Sequence, residues 1–182
     1  MRPLDITLGG AARNPTRLRK LTLREYISSD SKVICQWITD PRFLLQWAGP
    51  GFTYPMTPEQ FSSLESNDRI KGYTLADEQT VLGYGEIIQR TEKDGLVCRV
   101  IVADSLRGTG AGKQLIEELV EEAFKNLALE KLTLNVFDFN ESAIRCYKSV
   151  GFKETNRLEG ARDFEGEKWS LVVMELHNPN PA

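Results

Sequence analysis

Histidine is almost absent from this 182-residue sequence: the single copy, His177, lies near the C-terminal end and reads as a surface residue. That scarcity excludes a Ser-His-Asp triad, a Cys-His pair and a histidine-rich metal centre, so no metal is expected. Cysteine is scarce too. Cys35, Cys98 and Cys146 are odd in number and far apart, and no C-x-x-C pair occurs. Neither a disulfide framework nor a zinc site is implied, and a reducing, cytoplasmic setting is expected. No apolar run approaches the ~20 residues that span a bilayer. The first residues, M-R-P-L-D-I-T-L-G-G, lack the apolar core of a signal peptide, so no membrane partner is expected. An excess of positive charge is missing as well. With 23 Lys and Arg against 26 Asp and Glu, the net charge is −3, which argues against nucleic-acid binding through bulk charge. The early basic residues Arg13, Arg17, Arg19, Lys20 and Arg24 read as a solvated arm and edge strand.

What is present suits one domain over residues 1–182, with a loose lead-in over about 1–16 and a loose tail over about 177–182. Leu18 to Glu25 alternates as a first strand. Ser28, Ser29 and Asp30 offer caps for a helix over Val33 to Ile38, stopped by Asp40-Pro41, with Trp37 and Val33 sharing its core face. Phe43 to Tyr54 (F-L-L-Q-W-A-G-P-G-F-T-Y) cannot be regular throughout. Thr57-Pro58-Glu59-Gln60 reads as a capping-box helix start. Ile70 to Ala76 and Val81 to Gln89 form a hairpin, and Leu96 to Ala103 is a near-continuous apolar strand, as a buried central one would be. A helix over Lys113 to Leu129, a strand over Lys131 to Phe137, a short helix from Asn140 to Gly151, and strands at Phe152 to Asn156 and Lys168 to Leu176 complete the chain. The strand–helix–strand unit in the middle demands a parallel pair, and the hairpins demand antiparallel ones. The expected fold is α/β (α+β): a mixed, mostly antiparallel, twisted central sheet of six to seven strands with helices on both faces.

The stretch that carries chemistry is Val100 to Gly112, V-I-V-A-D-S-L-R-G-T-G-A-G. A strand, a loop with alternating glycines and a helix start point several backbone amides outward at the positive end of a helix dipole, a ready place for a phosphate. Three molecules could sit there. A nucleoside triphosphate loop would need Gly where Arg107 stands, and Ser or Thr where Gln114 stands to hold Mg²⁺. A dinucleotide loop would need Gly at Lys113 and a larger domain after it. The third is an acyl-coenzyme A. Arg107-Gly108-Thr109-Gly110-Ala111-Gly112 matches the pattern [RQ]-x-x-G-x-[GA]. Downstream, Asn140, Tyr147 and Gly151-Phe152 follow in N-E-S-A-I-R-C-Y-K-S-V-G-F. On these residues the sequence resembles the GNAT superfamily of N-acetyltransferases. The segments W-I-T-D-P and W-A-G-P resemble its branch of ribosomal-protein-type N-acetyltransferases.

The resemblance implies acetyl-CoA as co-substrate and a primary amine, on a peptide or a small molecule, as acceptor. It implies that the loop Arg107 to Gly112, with Lys113 at the helix start, holds the pyrophosphate. Val100, Ile101 and Val102 would run beside the pantetheine, in a gap where the strand over 96–103 splays from that over 131–137. Asn140 would bond the pantetheine arm, and it also reads as a plain helix cap. Tyr147 would protonate the leaving thiolate, and otherwise it is a half-buried aromatic on the Ile144 face. Some relatives carry a Glu base where Asn135 stands, and Asn cannot serve. Glu86 is therefore the first candidate base, an exposed strand residue being the other reading, with Asp138 and Asp104 next. Trp47, Phe52 and Tyr54 lie where relatives build the acceptor side, or else they form an apolar plug. Cys146, beside Tyr147, should face away, so direct attack in a ternary complex is expected. The protein would be a monomer or homodimer. A catalytically silent acyl-CoA sensor or scaffold is the alternative.

Overall fold

The structure, a computed structural model, describes residues 20–62, 66–78 and 80–181. Residues 1–19, the supposed lead-in included, lie outside these. Among the described residues the chain runs β1 (Thr22–Glu25), α1 (Ser31–Gln36), α2 (Pro41–Ala48), β2 (Ile70–Ala76), β3 (Val81–Gln89), β4 (Asp94–Val102), α3 (Ala111–Glu121), β5 (Lys131–Phe137), α4 (Glu141–Val150), β6 (Lys153–Phe164) and β7 (Glu167–His177). The strands form one sheet in the order β1-β2-β3-β4-β5-β7-β6. Among the described residues only β4 and β5 pair in parallel. This is the expected mixed, mostly antiparallel sheet.

Hydrophobic periodicity decides how the layers stack. Leu115, Ile116 and Leu119 of α3 are fully buried against Leu75, Ile87, Val97, Leu132 and Leu134, and the apolar side of α4 leans on the same cluster. Gly85 makes this approach possible, since a Cβ there would come within 2.7 Å of Leu119. On the other face, Ile34 and Ile38 with Leu44 and Trp47 cover Tyr84, Val81 and Ile101, and Trp37 and Val33 pack half-buried at the margin. A third cluster, Phe137, Trp169 and Leu171, ties Leu45 of α2 to the β6–β7 hairpin.

Helix α1 runs two residues ahead of the expected span and ends at Gln36, before Asp40-Pro41, and that pair instead starts α2. Asp40 accepts the Phe43 amide at 2.8 Å, and Pro41 occupies the first turn, where no amide is needed. Segment 43–54 thus splits into helix up to Ala48, then a turn at Gly49–Gly51 opened by Gly49 at φ +67. The Phe43 amide bond holds the Asp40 carboxyl below the usual range. The cap is therefore in force above the ordinary carboxylate pKa and is lost as pH falls through the lowered one. Asp40→Ala should lower Tm by a few degrees at neutral pH, with the difference from wild type shrinking in acid, as calorimetry would show.

Other boundaries moved as well, those of β1, β4 and β7 by a few residues or less. Of the helix expected after Thr57, the described residues show the tight turn Pro58–Phe61. Gln60 bonds Thr53 and Pro55 instead of closing a capping box. The long helix begins at Ala111 and widens into a π turn at Glu122–Asn126. Strand β6 continues to Phe164, past the expected end at Asn156. The tail is tied at Asn178, whose amide donates to the Glu130 carbonyl at 2.8 Å. No helix among the described residues is long and apolar enough to cross a membrane.

Candidate active site

The apolar run of β4 ends in a tight turn at Asp104–Leu106. Thr109 folds back on it, its amide and hydroxyl both reaching the Leu106 carbonyl, at 3.2 and 2.7 Å. Gly108 at φ +75 and Gly110 at φ +93 take a left-handed backbone that side chains resist. Ala111, buried, then anchors α3 to the core. The first-turn amides of a helix have no carbonyl one turn back. Among the described residues those of Gly110, Ala111, Gly112 and Lys113 donate to none. A Cβ at Gly108, Gly110 or Gly112 would meet nothing within 4 Å. The loop is thus an open cradle of amides, and it fits a pyrophosphate. Arg107 pairs with Asp104 at 2.8 Å and lies 5.9 Å from the Phe43 ring. Lys113 reaches Glu117 at 3.5 Å.

Behind the loop the sheet opens. β4 and β5 pair only at Asp94, Gly95 and Leu96, opposite Lys131, Leu132 and Thr133. Beyond that, Val97, Cys98, Ile101 and Val102 keep their pairing with β3 and the stretch leaves its edge toward β5 free, while β5 pairs on its far side with β7. Val100, Ile101 and Val102 therefore offer backbone to the gap. Their side chains divide, Ile101 into the α1/α2 cluster and the other two toward α3. Asn135 is exposed between buried Leu134 and Val136 on the opposite wall.

The bend in β4 is a bulge. Tyr84 opposes Ile101 and Glu86 opposes Cys98, so Arg99 and Val100 together face one residue of β3. Arg99 has φ 51, unusual for a residue with a side chain. Its guanidinium forms an ion pair with Glu86 and lies 4.9 Å from the Phe52 ring centre. Glu86 is fully buried, which rules out an exposed strand residue, and it accepts the Tyr84 hydroxyl at 2.7 Å. Burial pushes its carboxyl up, while Arg99 and the Tyr84 hydrogen bond pull it back. Arg99 and Tyr84 were missed in the sequence. A charge inside L-V-C-R-V-I-V was the available signal, because a buried charge needs a partner.

Across the gap, Asn140 caps α4, its Oδ1 accepting the Ala143 amide at 3.3 Å and the Ser142 hydroxyl at 3.1 Å. Tyr147 is half-buried with its ring edge-on to Phe152. Burial, then Cys146 and Cys98, push its hydroxyl upward, so it stays protonated. Burial also raises the Cys146 thiol and lifts that of Cys98 to about 12, which makes both poor nucleophiles. Among the other carboxylates, Asp138 lies 3.8 Å from Arg157, and Asp104 is exposed and paired. The three aromatics do not share one wall. Trp47 and Phe52 stack in the α1/α2 core, and both reach the Glu86 cluster from that side, Phe52 through Arg99 and Trp47 through the Tyr84 ring. Tyr54 is on the surface, bonded to the Thr39 carbonyl.

Comparison with known proteins agrees with this geometry. The model of the acetyltransferase (GNAT) family matches residues 33–152. A spermine/spermidine N(1)-acetyltransferase of Bacillus subtilis (strain 168) is 31% identical over 78 residues, which are 43% of this chain and 47% of the relative. The peptidyl-lysine N-acetyltransferase YjaB of Escherichia coli (strain K12) is 38% identical over 60 residues, 33% of this chain and 37% of the relative. These matches span half or less of the relatives' length. The crystal structure of spermidine N-acetyltransferase from Vibrio cholerae in complex with CoA and spermine superposes with a TM-score of 0.74 at 21% identity, covering 86% of this chain and 95% of that one. The ribosomal-protein branch is not the one these relatives indicate. W-I-T-D-P and W-A-G-P turn out to be the cap of α2 and the turn after it, local devices that carry no mark of a branch. From its matched segment and its splayed sheet, the chain belongs to the GNAT family of acetyltransferases.

Proposed function

We propose that the chain is an acetyl-CoA-dependent N-acetyltransferase whose acceptor is a primary amine of a polyamine. The observation that carries the proposal is the gap between β4 and β5, with unpaired backbone on the β4 side and the amide cradle at its mouth. The cradle amides and the positive end of α3 suit a pyrophosphate. The free edge of Val97 to Val102 suits the amides of a pantetheine arm, paired as a strand would be. The Nδ2 of Asn140 is free to bond that arm while Oδ1 caps the helix. An acceptor that is a polyamine follows the relatives from Bacillus and Vibrio; a peptidyl lysine follows that from Escherichia.

In this reading the amine nitrogen attacks the thioester carbonyl carbon, the carbon–sulfur bond breaks, and the proton balance falls to two side chains. Tyr147 gives its hydroxyl proton to the departing thiolate. Glu86 takes the proton shed by the amine, through a relay and not by direct contact, because its carboxylate is wholly enclosed by Tyr84 and Arg99. No hydrogen bond holds the Tyr147 hydroxyl among the described residues, so Tyr147→Phe keeps the packing. It should lower kcat about 100-fold with little change in KM for acetyl-CoA, in a thiol-release assay. Unchanged turnover near neutral pH would remove Tyr147 from the reaction.

A silent acyl-CoA sensor is the second reading. It is favoured by Asn135 in place of a carboxylate and by the enclosure of Glu86. Binding of coenzyme A without turnover on any amine would select it.

A further inference from the structure

The two edges of the sheet are finished differently. On β1, side chains of α3 close the edge: Glu118 accepts the Leu23 amide at 2.8 Å, and Gln114 donates to the Leu21 carbonyl at 3.1 Å. On β6, the outer edge meets no strand among the described residues. All eight residues from Lys153 to Gly160 are exposed, so the strand is bare on both faces. In its middle stands Leu158, 42% exposed. The Arg157 amide is turned away from β7 and donates to the Asn156 side chain at 2.8 Å.

The charges on this strand have an order that edge protection does not require. Bare edges are kept apart by charges such as lysine and by bulges. Here both signs occur, and they are arranged about Leu158. One step out, Arg157 faces Glu159; four steps out, Glu154 faces Arg162; five steps out, Lys153 faces Asp163. Laid antiparallel on a second copy of itself about Leu158, β6 sets Arg157 opposite Glu159 and brings the outer charges toward their counter-charges in sequence order, and no like pair arises. Opposite charges directly across an antiparallel ladder stabilise it and like charges oppose it. The same register sets Leu158 against Leu158 of the other copy, covering an exposed apolar side chain.

We propose that two copies of the chain associate through β6, antiparallel about a twofold axis at Leu158. An isologous contact of this kind uses one surface twice and closes on itself. The charges have partners within one chain: Arg157 with Glu154 at 3.1 Å and Asp138 at 3.8 Å, Asp163 with Lys168 at 2.8 Å, and Glu159 with the Ser170 hydroxyl at 2.9 Å. Such exposed partners exchange at little cost. A one-residue register shift between Glu154 and Asn156 and a two-residue shift between Leu158 and Arg162, where Gly160 takes φ +57, bulge the strand on both sides of Leu158. The backbone contact is therefore short and centred on Leu158, and the outer charges reach across by side-chain length.

The test is sedimentation equilibrium at low salt on wild type, Arg157→Glu, Glu159→Arg and the double reversal, joined to oxidation of Leu158→Cys. Each single reversal sets like charges together twice, once in each half of the interface. It should weaken the dimer at least 10-fold, and the double reversal should restore it to within about 3-fold. Two residues opposed on the axis lie within disulfide range, so Leu158→Cys should form a covalent dimer under mild oxidant while wild type does not. A wild type that stays monomeric at about 100 µM, a dimer indifferent to both single reversals, or a dimer whose Leu158→Cys variant does not cross-link would each overturn the proposal.

Discussion

Gly112→Glu should abolish acetyl-CoA binding while leaving the fold intact. A Cβ at this position meets nothing within 4 Å, and the backbone there is not left-handed, so the side chain costs the native state little. It places a carboxylate among the amides proposed to hold the pyrophosphate, and like charge would repel that ligand. Titration calorimetry should show a loss of at least about 100-fold in affinity, worth ~2.7 kcal/mol, with Tm nearly unchanged. Gly110→Glu should lose the same affinity and some stability besides, because φ +93 strains any side chain. Unchanged tight binding in both variants would mean that the pyrophosphate lies elsewhere.

The second large effect is at Glu86. Glu86→Gln leaves the Arg99 guanidinium, whose side chain is only 18% exposed, without its counter-charge. Breaking a buried pair from one side costs ~3–5 kcal/mol, which for a chain of this length lowers Tm by about 10 °C. Activity should fall further than stability explains, by about 100-fold in kcat/KM at neutral pH. The proposed role also fixes a direction with pH. The Glu86 carboxyl is raised by burial, so its proton leaves at a pH above the ordinary carboxylate range. The wild-type kcat/KM should climb with pH across that region, and the climb should vanish in Glu86→Gln. Adding Arg99→Gln removes the stranded cation. The double variant should regain most of the lost Tm and none of the lost activity. If it regains both, Glu86 is a structural residue and the proton leaves by another route.

How much of this was readable in advance depended on where the determining physics sits. The β2–β3 hairpin and β5 were placed to the residue, because alternation and apolar runs are set by the chain's own neighbours. The cap at Asn140 and the end at Gly151 are likewise local, and α4 lies between them as expected. The glycine loop was legible since left-handed backbone and a close-lying ligand both ask for glycine. Asp40-Pro41 was read as a stop, and its part in starting α2 was missed, because an N-cap followed by proline reads equally as a break in the chain. The length of β6 was missed, since an exposed strand carries no apolar period to mark it. The Glu86–Arg99–Tyr84 cluster was missed for a different reason. Its members come from two strands, and only the register across the bulge brings them together. Trp47 shows the same limit: an aromatic beside Gly-Pro-Gly fits a pocket or a core, and its contacts with Phe52 and Tyr84 come from tertiary packing.

The most direct test of the proposed activity is thiol release from acetyl-CoA with purified protein against spermidine, spermine, peptides with free α-amines and lysine-containing peptides. Products would be identified by mass and by the position of the acetyl group. The account predicts saturable release with the polyamines and product acetylated on a primary nitrogen. Tight coenzyme A binding in the same preparation, with no release above the blank on any amine, would contradict it.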